Sequence, residues 1–194
     1  MDSDFPSDMN FQYFFFSTYP GYFFQVLPIA LLAGVIDWLV KEKKDQKRSL
    51  RDKITSSLFV CYITGLTCLV LLLPVIGDIW YRLLYHMDSG MHYNWFCADF
   101  NWIPDFWHHL NGESVGNMLM FLPFGILFPL CHQTDFKKTV LAGFLYSLGI
   151  EILQPVFGRA FDVNDIILNT LGAAAAAAVF YGVDRLIIHK GVNL

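Results

Sequence analysis

Five windows of apolar residues, each nearly free of Lys and Arg, organise the chain: about Gly21–Val40, Ile54–Ile76, Ser114–Cys131, Thr139–Val156 and Asp165–Ile188. Each approaches the roughly 20 residues that a helix needs to cross the hydrocarbon core. The third and fourth are at the short end of that range. No internal repeat, low-complexity linker or composition boundary divides residues 1–194, so the pattern predicts an all-α fold, one polytopic helical bundle with about five transmembrane helices.

The polar residues between the windows predict an orientation, because Lys and Arg accumulate in cytoplasmic loops. Lys41, Lys43, Lys44, Lys47, Arg48, Arg51 and Lys53 follow the first window, Lys137 and Lys138 precede the fourth, and Arg185 and Lys190 lie at the C-terminal end. These are eleven of the thirteen basic residues; only Arg82 and Arg159 fall on the other side. The expectation is an N-terminus outside and a C-terminus inside. Asp2, Asp4 and Asp8 occupy the place where a cleavable signal peptide carries its basic residues, so no removal is expected.

Composition agrees with this reading. Hydrophobic residues make up 55% and charged residues 15%, against about a quarter charged in ordinary soluble domains. Disorder, coiled coil and a secreted disulfide scaffold are thereby excluded. The net charge of −4 and the absence of a basic patch outside the loops give no reason to expect nucleic acid. Between Phe11 and Phe24 nine of fourteen residues are Phe or Tyr, which suits an interfacial aromatic anchor before the first span.

The longest segment between spans, about Gly77–Glu113, holds Trp80, Trp95, Trp102 and Trp107 together with His86, His92, His108 and His109. An outer-surface segment with indole rings at headgroup level accounts for it. The spacing of Asp105, His108, His109 and Glu113 also fits a helical zinc site, but without HExxH, CxxC or a similar signature. No metal or cofactor is assigned.

The fourth and fifth windows carry the informative polar residues. Ionisable groups within a span are costly, and they persist mainly where they have partners or a function. Glu151 lies one turn before Pro155, with Gln154 on the same face. Arg159 follows, and then Asp162, Asp165, Asn169 and Gly172 recur at spacings of three, four and three, forming one helical stripe. Asn117 enters the third window before Pro123, whose missing N–H predicts a kink that opens a cleft beside the cluster. Glu151, Gln154, Arg159, Asp162, Asp165, Asn169 and Asn117 are therefore the candidate ligand-binding residues. Capping and packing explain some of them equally well: Asp162 as an N-cap, Asp165 against the helix dipole, an Arg159–Glu151 pair, Asn169 bonding across helices, and Gly172 with Ala173–Ala178 allowing close approach. Asp37, four residues before Lys41, reads as a plain ion pair.

The series Asn117-Met-Leu-Met-Phe121-Leu-Pro123-Phe-Gly125, Glu151-Ile-Leu-Gln154, Gly158-Arg159, Asp162-Val-Asn-Asp165 and Asn169-Thr-Leu-Gly172 resembles the VanZ-like family of bacterial membrane proteins. The resemblance covers about residues 101–178 and includes Ile103-Pro104. The alanine run after Gly172 stands where many members have a second glycine. What the resemblance implies is a multi-pass protein of the bacterial plasma membrane, tied to the cell envelope and to low-level glycopeptide (teicoplanin) resistance.

Two readings follow from the residues. In one, the outer-facing pocket binds an envelope lipid or a lipoglycopeptide: Arg159 meets an anionic group, while Glu151 and the aspartates accept hydrogen bonds from amines or hydroxyls. In the alternative, the chain is an intramembrane enzyme acting on a lipid-linked envelope substrate, with Glu151 as general base, Asp162 or Asp165 assisting, and Arg159 stabilising developing charge. No nucleophile elbow or phosphate loop accompanies them. A transporter fits less well, since no inverted repeat is evident. Beyond the lipid bilayer, the expected partners are that ligand and a second copy meeting at the alanine run.

Overall fold

In the computed structural model, residues 10–44, 49–87, 89–90, 95–107 and 112–189 are described. The helices are α1 (Phe11–Ser17), α2 (Tyr19–Lys44), α3 (Leu50–Thr67), α4 (Leu73–Tyr85), α5 (Gly112–Met120), α6 (Leu122–His132), α7 (Phe136–Leu153) and α8 (Val163–His189). Two-residue strands β1 (Phe100–Asn101) and β2 (Phe161–Asp162) pair in parallel. Five helical stretches are long and apolar enough to cross a membrane: Tyr19–Lys44, Leu50–Tyr85, Ser114–His132, Phe136–Phe157 and Val163–Leu186. The protein is a multi-pass helical membrane protein.

The second span differs from its expected boundary. It does not stop near Ile76 but continues to Tyr85 for 36 residues, about 54 Å, well beyond a hydrocarbon core of roughly 30 Å. Pro74 does not end the helix because the preceding turn, Cys68–Leu72, widens to π-helical geometry and places the proline in the first turn of α4. Trp80 therefore sits on a helix and not on a surface loop. Its Nε1 donates to the Gln25 carbonyl at 2.9 Å, and its ring meets Phe15 edge-on.

The aromatic N-terminal segment is a helix of its own. Asn10 caps α1 by accepting from the Tyr13 N–H at 2.8 Å, and the chain then reverses at Thr18 into α2. Phe15 and Phe16 pack on Trp80, Tyr81 and Tyr85, so the aromatic segment is fastened to α4.

The third span breaks where Pro123 predicts. Phe121 is a turn between α5 and α6, and the carbonyl of Met120 at the break accepts from Tyr62 Oη at 2.8 Å. Phe121 and Phe124 lie in the core with Leu66, Leu71, Ile150 and Ala173. α8 runs through the middle, packed on α5, α6 and α7. Gly125 and Gly172 make this packing close. A Cβ on Gly125 would lie 2.2 Å from the Ala173 carbonyl oxygen, and one on Gly172 would lie 2.1 Å from that of Met118. Ala173, Ala176 and Ala177 are buried inside the protomer. That face of the alanine run is thus consumed by α8's own neighbours, and it offers no surface for a second copy.

Lys41, Lys53, Lys137, Lys138 and Arg185 gather at one end of the bundle; Glu151, Arg159, Asp162 and Asp165 lie at the other. At the basic end, Asp37 accepts from Lys41 at 2.6 Å and from Ser56 and Ser57 at 3.2 Å, and Lys53 pairs with Glu42 at 2.6 Å.

Candidate functional site

Glu151 occupies the last turn of α7 and is 1% exposed. Pro155 lacks the N–H that would continue the helix, so the chain tightens into a 3₁₀ turn over Gln154–Phe157 and reverses at Gly158, whose φ is 78°. This reversal returns Asp162 above Glu151, and the Asp162 N–H donates to Glu151 Oε2 at 3.0 Å. Gln154, with its amide nitrogen toward the same oxygen, donates to Glu151 Oε2 at 2.9 Å and to the Ala160 carbonyl at 3.0 Å. Among the described residues every hydrogen bond to Glu151 falls on Oε2.

The start of α8 supplies the facing wall. Asp162 caps it, its Oδ1 accepting from the Asn164 N–H at 2.8 Å and from Asn101 Nδ2 at 3.2 Å. Asp165, three residues on, accepts from Asn117 Nδ2 at 2.6 Å, which ties α5 to α8. One turn further, Asn169 donates from Nδ2 to Ser147 Oγ at 3.0 Å. Its Oδ1 is buried without a hydrogen-bond partner. Ser147 is four residues before Glu151 on α7, so this bond to α8 lies about 6 Å along α7 from the bond to the Asp162 backbone. The expected stripe of Asp162, Asp165, Asn169 and Gly172 is present: its first three members face these partners, and Gly172 rests against α5.

Arg159 departs from one expectation. It forms no ion pair with Glu151 among the described residues; its Nη1 donates to the Val70 carbonyl at 3.0 Å. Val70 lies four residues before Pro74, so its carbonyl is the one that an N–H at position 74 would have received. Arg159 thus fastens the reversal to the π-helical turn.

A cavity of about 530 Å³ opens beside the cluster. Asn117, Glu151, Gln154, Arg159, Asp165 and Asn169 line it together with Tyr22, Leu69, Leu73, Leu119 and Met120. The break at Phe121 makes room for it. Six of the seven residues singled out from sequence thus meet in one cavity, and the seventh, Asp162, holds Glu151 through its backbone.

Several organising residues carry no local signal in the sequence. Asn164 accepts on Oδ1 from the N–H groups of Asp105 and Phe106 at 2.9 and 3.0 Å, and its Nδ2 donates to Asp105 Oδ1 at 2.9 Å. The Cys97 N–H donates to the Pro155 carbonyl at 2.8 Å, and the Phe161 N–H to that of Asp99 at 3.0 Å. With the tilted contact of Trp102 on Phe161, centroids 4.5 Å apart, these bonds clamp the loop over the reversal. The loop therefore packs on the turn that carries Asp162. Of the residues weighed as zinc ligands, Asp105 is engaged by Asn164; His108, His109 and the side chain of Glu113 lie outside the described residues.

A model of the VanZ/LLP1 family matches residues 59–187, which include Asn117, Glu151, Gln154, Arg159, Asp165 and Asn169 of the cavity wall but not Tyr22. Protein VanZ of Enterococcus faecium is 31% identical over 94 residues, 42% of this chain and 58% of that protein. The match thus spans less than two thirds of the relative's length. No solved structure matches the chain.

Proposed function

This chain belongs to the VanZ/LLP1 family, and from that premise we propose that it is a bacterial cell-envelope protein which binds an envelope lipid or a glycopeptide antibiotic in the Glu151 cavity and contributes to low-level glycopeptide resistance. The basic end faces the cytoplasm under the positive-inside rule. The cavity then opens at the outer side of the plasma membrane, where both lipid headgroups and a lipoglycopeptide are within reach.

The observation that carries this reading is the composition of the cavity wall. Buried Glu151 and Asn169 stand beside Leu69, Leu73 and Met120 in about 530 Å³, a size and a polar-on-apolar lining suited to an amphiphile. Apolar burial supplies affinity, and the polar groups select the head.

The test replaces Glu151 by Gln and Asp162 by Asn, each change keeping the side-chain shape, and measures accumulation, thermal stability and teicoplanin susceptibility together. Stable variants with altered susceptibility are expected. Stable variants with unchanged susceptibility would sink the resistance role, and loss of folding in both would leave only packing to these residues.

A second reading draws support from Glu151 Oε1, which receives no hydrogen bond among the described residues and faces a chain-sized cavity. Here Glu151 is a general base on a lipid-linked envelope substrate, Asp165 assists, and Arg159 steadies developing negative charge. Asp162 contributes position, since its carboxylate already caps α8. Mass spectrometry of lipid-linked envelope intermediates before and after exposure to the reconstituted protein separates the two: conversion lost in E151Q establishes the enzyme, and unchanged masses leave the binder.

A further inference from the structure

The innermost polar groups of the cavity bond mainly to one another and to the backbone. Its amide groups donate within the protein, Asn117 to Asp165, Asn169 to Ser147, and Gln154 to Glu151 and Ala160. Its acceptors are not all used. Asn169 is 5% exposed, with Oδ1 buried and unpartnered, and Glu151 receives nothing on Oε1 among the described residues. Among the described residues Arg159 is the one cation in the wall; it is exposed, and it donates to the Val70 carbonyl.

We propose that the cavity selects an amphiphile whose head carries hydrogen-bond donors, an ammonium or sugar-type hydroxyls, and discriminates against heads that are only anionic. This deepens the reading above and rests on it. A donor head completes Asn169 Oδ1 and Glu151 Oε1; Asn169 bonds Ser147, about 6 Å along α7 from Glu151, a span that one aminoalkyl group or one hexose ring can bridge. A phosphate or sulfate head brings acceptors to acceptors and meets the carboxylates of Glu151 and Asp165. The alkyl chain lies along Leu69, Leu73, Leu119 and Met120, beyond the polar groups.

The full chain is placed in bilayer discs of phosphatidylcholine, whose head has neither N–H nor O–H, doped singly with phosphatidylethanolamine, a diacylglycerol glucoside or phosphatidylmethanol. Lipid retained after extraction is counted by mass spectrometry. Phosphatidylethanolamine or the glucoside is expected to be enriched roughly tenfold over phosphatidylcholine, the scale of a hydrogen bond to a charged acceptor. Enrichment of the first alone identifies the ammonium source, and of the second alone the hydroxyl source. Preference for phosphatidylmethanol, or equal retention of all three, overturns the proposal. Asn169→Leu removes the enrichment. Asn169→Asp, which keeps the shape and can accept from the Ser147 hydroxyl, shifts retention toward phosphatidylethanolamine; an unshifted ratio also counts against the proposal. Donor-lipid enrichment with unchanged teicoplanin susceptibility in E151Q defeats the resistance role alone. Altered susceptibility with preference for phosphatidylmethanol defeats the headgroup assignment alone.

Discussion

The two ends of the bundle treat charge in opposite ways. At the basic end, Asp37 meets Lys41, Ser56 and Ser57, Lys53 meets Glu42, and Thr139 bonds Asp135, Thr134 and Tyr181, so buried groups are completed by the protein itself. At the Glu151 end no ion pair forms between Arg159 and a carboxylate among the described residues, and Asn169 Oδ1 stays unpartnered. Burial of a polar atom without a partner is unfavourable by about 1–3 kcal/mol, so the second arrangement is a standing cost that a bound head can relieve. One end completes its buried groups within the chain, while the other keeps a buried acceptor without a partner beside the cavity.

The largest break in this comparison comes from the packing that holds the cavity walls apart. Replacing Gly172 by Leu drives a side chain into the Met118 backbone, where even a Cβ would be 2.1 Å from the carbonyl oxygen. The expected loss is about 3 kcal/mol, seen as a lower melting temperature and poor accumulation. Wild-type stability would mean that α5 and α8 do not meet this closely.

Next in size is Glu151→Leu, which leaves the Asp162 N–H and the Gln154 amide without their acceptor. Each orphaned donor is expected to lower stability by about 1–3 kcal/mol, whereas Glu151→Gln keeps an acceptor oxygen and folds near normally. Equal melting temperatures for the two variants would contradict a structural role for Oε2.

The basic end answers differently. Lys53 is 6% exposed, but its partner Glu42 is half in solvent. Glu42→Gln strands a buried ammonium, while Lys53→Met replaces it with an apolar chain of similar reach and frees Glu42 to water. The second change is expected to be close to neutral and the first distinctly destabilising, since removing one partner of a buried pair is worse than removing its desolvated charge. A reversed order in thermal melts would break the contrast between the ends.

How legible these ends were in the amino-acid order follows from the range of the forces involved. The five spans are recorded in long apolar windows, and the stripe from Asp162 to Gly172 in local helical spacing, so both are readable without a fold. Pro123 announces the break at Phe121 by the same local logic. The extension of the second span to Tyr85 is not readable from Pro74 alone, because a π-helical turn changes what the proline interrupts. Nor does any local pattern join Asn101 to Asp162, or Asn164 to Asp105, 61 and 59 residues apart. Arg159 was open to a better reading: a proline in a span offers no N–H to the carbonyl four residues earlier, and Val70 holds that position.

The smallest effect tests the basic end alone. Asp135 caps α7 just outside the fourth span, accepting from the Lys138 N–H at 2.9 Å. That backbone bond holds its carboxyl below the usual range, against a smaller opposing effect of desolvation, with further help from the Lys138 side chain. A carboxyl lowered in the folded state stabilises above its unfolded value, and the contribution fades as the pH falls through the folded one. Asp135→Asn keeps an oxygen to cap the helix but carries no charge. The melting temperature of the wild type should therefore exceed that of the variant at neutral pH, and the gap should begin to narrow near pH ~4, the ordinary aspartate range, and close below the lowered folded value. A gap that persists in acid would assign the difference to cap geometry and not to charge. Because Asp135 is distant from the cavity, lipid retention should be the same in both proteins at every pH where they are folded.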